Sequence, residues 1–407
     1  MQTAMDPPGV GRAMVGVEPM ELSHDCVLDA EIPMEVDETM ELSWHGGSLD
    51  NSFKMFLDVL NSKSWTGNLC MSPFGVSSVA NTALYRDQIL QDCVTGFKLP
   101  PWTSDHLKIR GLTADLGKSA SVQTSNIFWG YNRDILPEFM WSPLCQQGVQ
   151  TIVGPTSDPG QIRLLVHHFN AQVAQDTGGR ISAVFTPETW PYAAYAVIVN
   201  AVHFKGVWEK QFNAKLTKLC DFYVSPNNII QVPMMACDDE PCLLITESLK
   251  HFRVLHLPFQ ADGAYMHVMI PHDIDERDVV GVLRSGCVTD NDWSSYIDLK
   301  HSVKASSYTV QMPKWKTKSA ICLDKTMARL GVALGRENTT SQFCAVEVDE
   351  EGCVAKAVTR TSVAFSFRRR AKFYVDKPFI WIITRVPPDG SGRTVLFMGL
   401  ITDPTQV

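Results

Sequence analysis

Residues 193 to 202 read AAYAVIVNAV, a run that is apolar on both parities around a single Asn200. Side chains of a strand alternate between its two faces, so a strand with this pattern has no side to offer water. Such a segment sits centrally in a sheet that is covered on both faces. A chain that contains it therefore needs a large sheet and further layers to bury it.

Helices are available to form one of those layers. Phe53, Phe56, Leu57 and Leu60 fall at i, i+3, i+4 and i+7, the spacing of a helix packed by one face. Ile162, Leu165, Val166, Phe169 and Val173 repeat that pattern, and Gly178-Gly179 follows to supply a left-handed stop. More strands lie near the end of the chain. FIWIITRV (379 to 386) and TVLFMGLI (394 to 401) flank PPDGSG, which predicts a hairpin. There is no internal repeat and no linker after residue 52, so a single α+β domain with large mixed β-sheets and packed helices over 51–407 is the economical reading. Residues 1–50 are rich in Met, Glu, Asp, Gly and Pro without periodicity, and are expected to be a disordered acidic arm.

Several function classes are disfavoured. A net charge of −8 gives no general attraction to nucleic acid or to an anionic membrane. No apolar run reaches the ~18–20 residues of a membrane helix, and the first residues lack a basic end followed by an apolar core, so the chain reads as leaderless. Its eleven cysteines lack the paired spacings of a disulfide framework. Free thiols in a reducing compartment are expected, the cytoplasm or the nucleus, with leaderless export left open. GLTADLGKS (111 to 119) imitates a phosphate loop, but five residues separate Gly111 from Gly117 where four are needed, and no apolar strand precedes it. CDDEPC (237 to 242) has weak metal-ligand spacing and reads better as an exposed acidic turn. His167 and His168 are helix neighbours that point to different faces and cannot chelate together. No GxSxG elbow or HExxH helix occurs. Neither catalysis nor a cofactor or metal is expected.

One long segment remains, VDEEGCVAKAVTRTSVAFSFRRRAKFYVDKPF (348 to 379). From Cys353 the alternate residues Cys353, Ala355, Ala357, Thr359, Thr361 and Val363 are small or β-branched and uncharged. The other parity, Val354, Lys356, Val358, Arg360 and Ser362, holds both charges. Proline is absent from Gly352 to Lys377, so nothing forbids a central strand. A surface loop of small and polar residues is the competing reading of the same alternation.

Other motifs connect this segment to a known family. VNAVHFKGVWEKQF (199 to 212) contains Asn200, Ala201, Phe204, Lys205, Gly206 and Trp208, a pattern that resembles the serpin superfamily, with His203 in place of the usual aromatic. Pro378, Phe379 and Phe397 to Gly399 match the family's closing elements, CMSPFGVSSVA its Phe-Ser-Pro helix start, and RVLHLPFQADGAYMHVMIPHD its Leu-Pro-Tyr strand pair. The likeness covers about residues 51 to 406. Two departures bear on sheet opening rather than on the fold: a shorter, less regular region over 80 to 118, and Gln342 where a histidine is usual.

The resemblance implies a suicide inhibitor of serine or cysteine proteases, of the intracellular or viral kind and monomeric. AVEVDEEG becomes the hinge and residues 352–371 the reactive-centre loop, which is cut and then inserts as a new central strand. Hinge residues are Glu350, Gly352, Cys353, Ala355, Ala357 and Thr359. Glu350 and Lys314 resemble a clasp at the top of the main sheet, with two solvated charges as the alternative. Trp208 falls where the family has an aromatic below that point, and Ser72, Asn200 and Gln342 at the region where the sheet parts, with ordinary core packing as the alternative. Counting from the hinge glycine reaches Ser366, flanked by Phe365 and Phe367, which favours a chymotrypsin-like or cathepsin-like protease. Cleavage at Arg368 by a trypsin-like enzyme is the second option. A non-inhibitory serpin-fold carrier, chaperone or decoy is the alternative function.

Overall fold

The computed structural model describes residues 49–62, 67–80, 120–135, 141–146, 148–155, 158–238, 243–247, 249–261, 263–272, 278–300, 302–305, 308–329, 338–353, 371–386 and 393–406. The arm over 1–48, the phosphate-loop imitation and most of CDDEPC lie outside these residues.

Three sheets form the body. The first contains β12 (Trp315–Cys322), β13 (Asn338–Val348), β4 (Ala196–Val207), β2 (Ala120–Gly130) and β3 (Val149–Val153) in that order, with β14 (Gly352–Cys353) also paired to β4. It is mixed: β13 runs parallel to β4, and β2 antiparallel to it. The second has the order β1 (Leu69–Met71), β17 (Thr394–Ile401), β16 (Phe379–Arg385), β9 (Ala264–Pro271), β8 (Phe252–Pro258), β7 (Leu244–Thr246), β10 (Val303–Lys304). The third is β15 (Ala371–Tyr374), β11 (Tyr308–Pro313), β6 (Asn228–Asp238), β5 (Lys218–Ser225). β16 and β17 make the expected antiparallel pair, from Phe379↔Ile401 to Arg385↔Thr394.

β4 is central and covered on both sides, as its composition requires. Val197, Val199 and Ala201 pack in one core with helix α2 (Pro159–Asp176), which contributes Ile162, Val166, Phe169 and Val173. Val202 and Phe204, on the other parity, belong to a second core shared with the other sheets. The start of α2 is fixed by Asp158, whose side chain accepts from the Gln161 N–H, and by Pro159 in the first turn. At its end the Gly179 N–H donates to the Ala174 carbonyl at 2.7 Å, with Gly178 and Gly179 both at positive φ. His167 and His168 lie exposed on its outer face. Helix α1 (Leu49–Asn61) buries Phe53, Phe56 and Leu60 against the second sheet and stacks Phe53 on Trp293.

Candidate functional site: the seam between β4 and β13

β13 and β4 pair in register from Asn338↔Ala196 to Ala345↔His203. Beyond that point the chain leaves β13 at Val348, reverses over Asp349 to Glu351, and returns as β14 beside β4, with Gly352↔Val207 and Cys353↔Gly206. The reversal is held by its own first residue. Asp349 Oδ1 accepts from the Glu351 and Gly352 N–H groups at 2.9 and 3.2 Å, and its backbone N–H donates to the Gly352 carbonyl at 2.9 Å. Gly352 has φ +147°, and a Cβ there would lie 2.1 Å from the Gly206 carbonyl oxygen, so only glycine fits this close approach.

Glu350 and Lys314 come together here. Lys314 Nζ lies 2.7 Å from Glu350 Oε2, while the Thr217 hydroxyl donates to Oε1 at 2.7 Å. Burial pushes the Glu350 carboxyl upward, but the hydrogen bonds from Lys314 and then Thr217 outweigh it and hold the group below its ordinary value. Burial raises the neighbouring Asp349 carboxyl instead. Trp208 lies beneath the reversal: its indole N–H donates to the Asp349 carbonyl at 3.0 Å, its backbone N–H to that of Glu351 at 3.0 Å, and its ring stacks on Phe259.

A second group sits lower on the same seam. Gln342 on β13 and Asn200 on β4 are register partners, as are Asn200 and Asn126 on β2. Their side chains form one row across three strands: Gln342 Nε2 donates to Asn200 Oδ1 at 2.9 Å, and Asn200 Nδ2 donates to Asn126 Oδ1 at 2.8 Å. Gln342 also brackets Ser72, accepting from its N–H and donating to its carbonyl, each at 2.9 Å. The Ser72 hydroxyl in turn donates to the Leu396 carbonyl at 2.7 Å. Ser72, Asn200 and Gln342 are all fully buried.

The structure thus gathers Glu350, Gly352, Cys353, Lys314 and Trp208 at the top of the seam, and Ser72, Asn200 and Gln342 in its middle. Ala355, Ala357, Thr359, Phe365, Ser366, Phe367 and Arg368 lie outside the described residues. Sequence reasoning missed Thr217, Asp349 as a turn former, and Asn126. The only signal for Asn126 is a polar residue within a strand. Among the described residues no group of three His, Cys, Asp or Glu side chains could hold a metal ion.

A family model described as serpin (serine protease inhibitor) matches residues 49–404. The chain belongs to the serpin family. Bovine (Bos taurus) leukocyte elastase inhibitor is 26% identical over 372 residues, covering 83% of this serpin and 93% of its own length. Among solved structures, Serpin48 of the insect Tenebrio molitor superposes with a TM-score of 0.70 at 21% identity, covering 89% of this chain and 99% of its own. Human thyroxine-binding globulin does so with 0.68 at 18%, covering 88% and 98%. The last two establish a shared serpin fold. The family includes protease inhibitors, which are not themselves enzymes, and also non-inhibitory members, so the seam has to be read on its own chemistry.

Proposed function

We propose that this serpin is a protease inhibitor that acts as a suicide substrate. A protease cuts the loop over 352–371 and is held as an acyl-enzyme while the loop inserts between β4 and β13. One observation carries the reading: β14 is already paired with β4, and Cys353 on it is fully buried. That residue sets the parity of any continuation, because a strand alternates with period two. Ala355, Ala357, Thr359, Thr361 and Val363 share it, and none is charged. An unpaired charge at an inward position would cost several kcal/mol and stall insertion.

The clasp of Glu350 with Lys314, the aromatic support of Trp208 and the row through Ser72, Gln342 and Asn200 are then the parts that hold the seam shut before cleavage. From Cys353 to Ser366 an inserted strand reaches about 46 Å at ~3.3 Å per residue, and one residue either way moves the tethered protease little. Phe365 and Phe367 suit a chymotrypsin-like or cathepsin-like specificity pocket. The likeness to leukocyte elastase inhibitor supports that class. Arg368 offers a trypsin-like enzyme a longer tether. The inhibitory unit is the domain that opens with α1 at Leu49, two residues before the expected boundary at 51, a monomer preceded by an acidic arm, and its thiols suit a reducing compartment.

A binding protein on the same fold is the second reading. It is favoured by Gln342, whose amide ties β13 to both Ser72 and β4 and so fastens the seam. Mixing the protein with chymotrypsin-like, cathepsin-like and trypsin-like proteases and resolving the products on a denaturing gel separates the two. Inhibition gives an adduct that survives denaturation, with a released peptide starting at Ser366, Phe367 or Arg368 for a chymotrypsin-like or cathepsin-like protease and at Arg369 for a trypsin-like one. Cleavage without an adduct, and without a rise in Tm of the cut protein, would sink the inhibitory reading.

A further inference from the structure

Cys70 on β1 and Cys344 on β13 place their sulfur atoms 2.9 Å apart, although 274 residues separate them in sequence. This is within about 1 Å of the ~2.05 Å of a disulfide bond, so closing it calls for a small side-chain movement. Both residues are fully buried and both are free thiols. They join two different sheets: β1 edges the second sheet, and β13 flanks the seam of the first. Cys344 pairs with Val202, one position before Ala345↔His203 closes the β4–β13 register on the hinge side. The Cys70 N–H also donates to the Ser319 hydroxyl on β12 at 2.9 Å, so β12 and β13 already rest on β1 at this point.

We propose that Cys70 and Cys344 are a redox site, oxidised by a small peroxide to a disulfide that covalently fastens β13 to the sheet beneath it. In the first step the thiolate of one cysteine attacks a peroxide oxygen. An S–O bond forms, the O–O bond breaks, and the departing hydroxide takes up a proton to leave as water. The second cysteine then attacks the sulfenic sulfur: the S–S bond forms, the S–O bond breaks, and the hydroxide leaves with the second thiol's proton as another water. Two thiols have lost two electrons, and the peroxide has been reduced to two waters. Burial and then the hydrogen bond from the neighbouring Cys344 push the Cys70 thiol upward, and both residues are sealed from solvent. Oxidation therefore proceeds through local opening between β1 and β13. The consequence is mechanical: a bond closing so long a segment of chain restricts the unfolded state strongly.

Cys353 is the discriminating control, because it lies in the same buried cluster and acts electrostatically on Cys70. The full chain is treated with hydrogen peroxide, remaining thiols are alkylated, and peptides are mapped without reduction. The expected result is a crosslink between the peptides carrying Cys70 and Cys344, two hydrogens lighter than their sum. It is accompanied by a rise in Tm of about 5 °C or more that dithiothreitol reverses. Cys353→Ser keeps both the crosslink and the shift, and Cys344→Ala loses both. A crosslink to Cys353, sulfinic acids in place of a disulfide, or unreacted Cys70 and Cys344 would overturn the proposal. So would a crosslink without a Tm shift. Mapping the unsubstituted protein is decisive even where Cys344→Ala fails to fold, and neither readout depends on protease inhibition.

Discussion

The two ends of the seam are held by different chemistry. At the top, β14 contributes two residues to β4 and is secured beside an ion pair whose Lys314 side chain is 36% exposed and whose Glu350 side chain is 11% exposed. In the middle, Ser72, Gln342, Asn200 and Asn126 form neutral hydrogen bonds, and the first three of these residues are sealed from water. A partly wet ion pair adds little net stability, since solvent competes for both charges. A buried neutral row is different, because every donor or acceptor left alone there pays a desolvation penalty. Under the proposed mechanism the seam would open at its top at small cost, and the middle row would set the barrier to further parting.

The largest expected effect is at the middle row. Asn200→Ala removes the acceptor of Gln342 Nε2 and the donor to Asn126 Oδ1 together, and should lower unfolding free energy by about 3 kcal/mol in a denaturant titration. A loss under about 1 kcal/mol would mean that the row is not what holds the two strands. At the top, Glu350→Ala should cost about 1–2 kcal/mol, with the exposure of Lys314 limiting the value. Its signature is pH dependence. The folded Glu350 carboxyl lies below its ordinary value of 4.5, so its stabilisation is complete above that pH and disappears as the pH falls through the folded value. Tm curves of the two proteins should therefore converge in acid. A gap that stays constant would assign the loss to packing rather than to the charge.

How much of this contrast was legible in advance follows from where each part draws its information. The burial of β4 on both faces, the stripe of α2 and the final hairpin are local patterns, and they read directly. Gly352 was also legible, whereas the two-residue period that starts at Cys353 continues through residues outside those described, so only its first member is seen in place. Asn126 was not: its role exists only because β2 lies beside β4 in a register that sets it against Asn200, 74 residues away. Nor could the pattern tell that Gly352 and Cys353 are seated beside β4. That seating depends on Thr217, Asp349 and the backbone of Trp208 and Phe212, which donate to Glu351 and Glu350 carbonyls from a separate part of the chain.

Gly352→Ala tests the seating of β14 alone. Its new Cβ would meet the Gly206 carbonyl oxygen at 2.1 Å and the Val207 Cα at 2.8 Å, backbone atoms that cannot retreat without disturbing β4. The short strand should leave its place while the rest of the sheet stays folded, at a cost of about 1 kcal/mol for the small buried surface lost. The sharper measurement is the reactivity of Cys353. Buried in the parent protein, its thiol should react with an alkylating reagent at least about tenfold faster in the variant. An unchanged rate would show that β14 tolerates the methyl group and that the close approach does not govern its position.

The smallest effect on the resting protein should come from Thr359→Arg, and its effect on inhibition should be large. Thr359 shares the inward parity of Cys353, whereas Val358 has the opposite one. If 352–371 is a reactive-centre loop as proposed, either substitution in the uncut chain is expected to change stability by less than about 0.5 kcal/mol. After cleavage they diverge. Arginine at 359 would be carried between β4 and β13 toward the core without a partner, a cost of several kcal/mol that slows insertion beyond the life of the acyl-enzyme. Arginine at 358 would face outward and remain hydrated. Titrating a trapped protease with each variant should therefore show Thr359→Arg turned over as a substrate, with Val358→Arg still forming the adduct. If the two behave alike, the period-two continuation from Cys353 is wrong. If only Val358→Arg fails, the loop inserts one residue out of register from β14, and the seating of Cys353 no longer predicts which residues the seam receives.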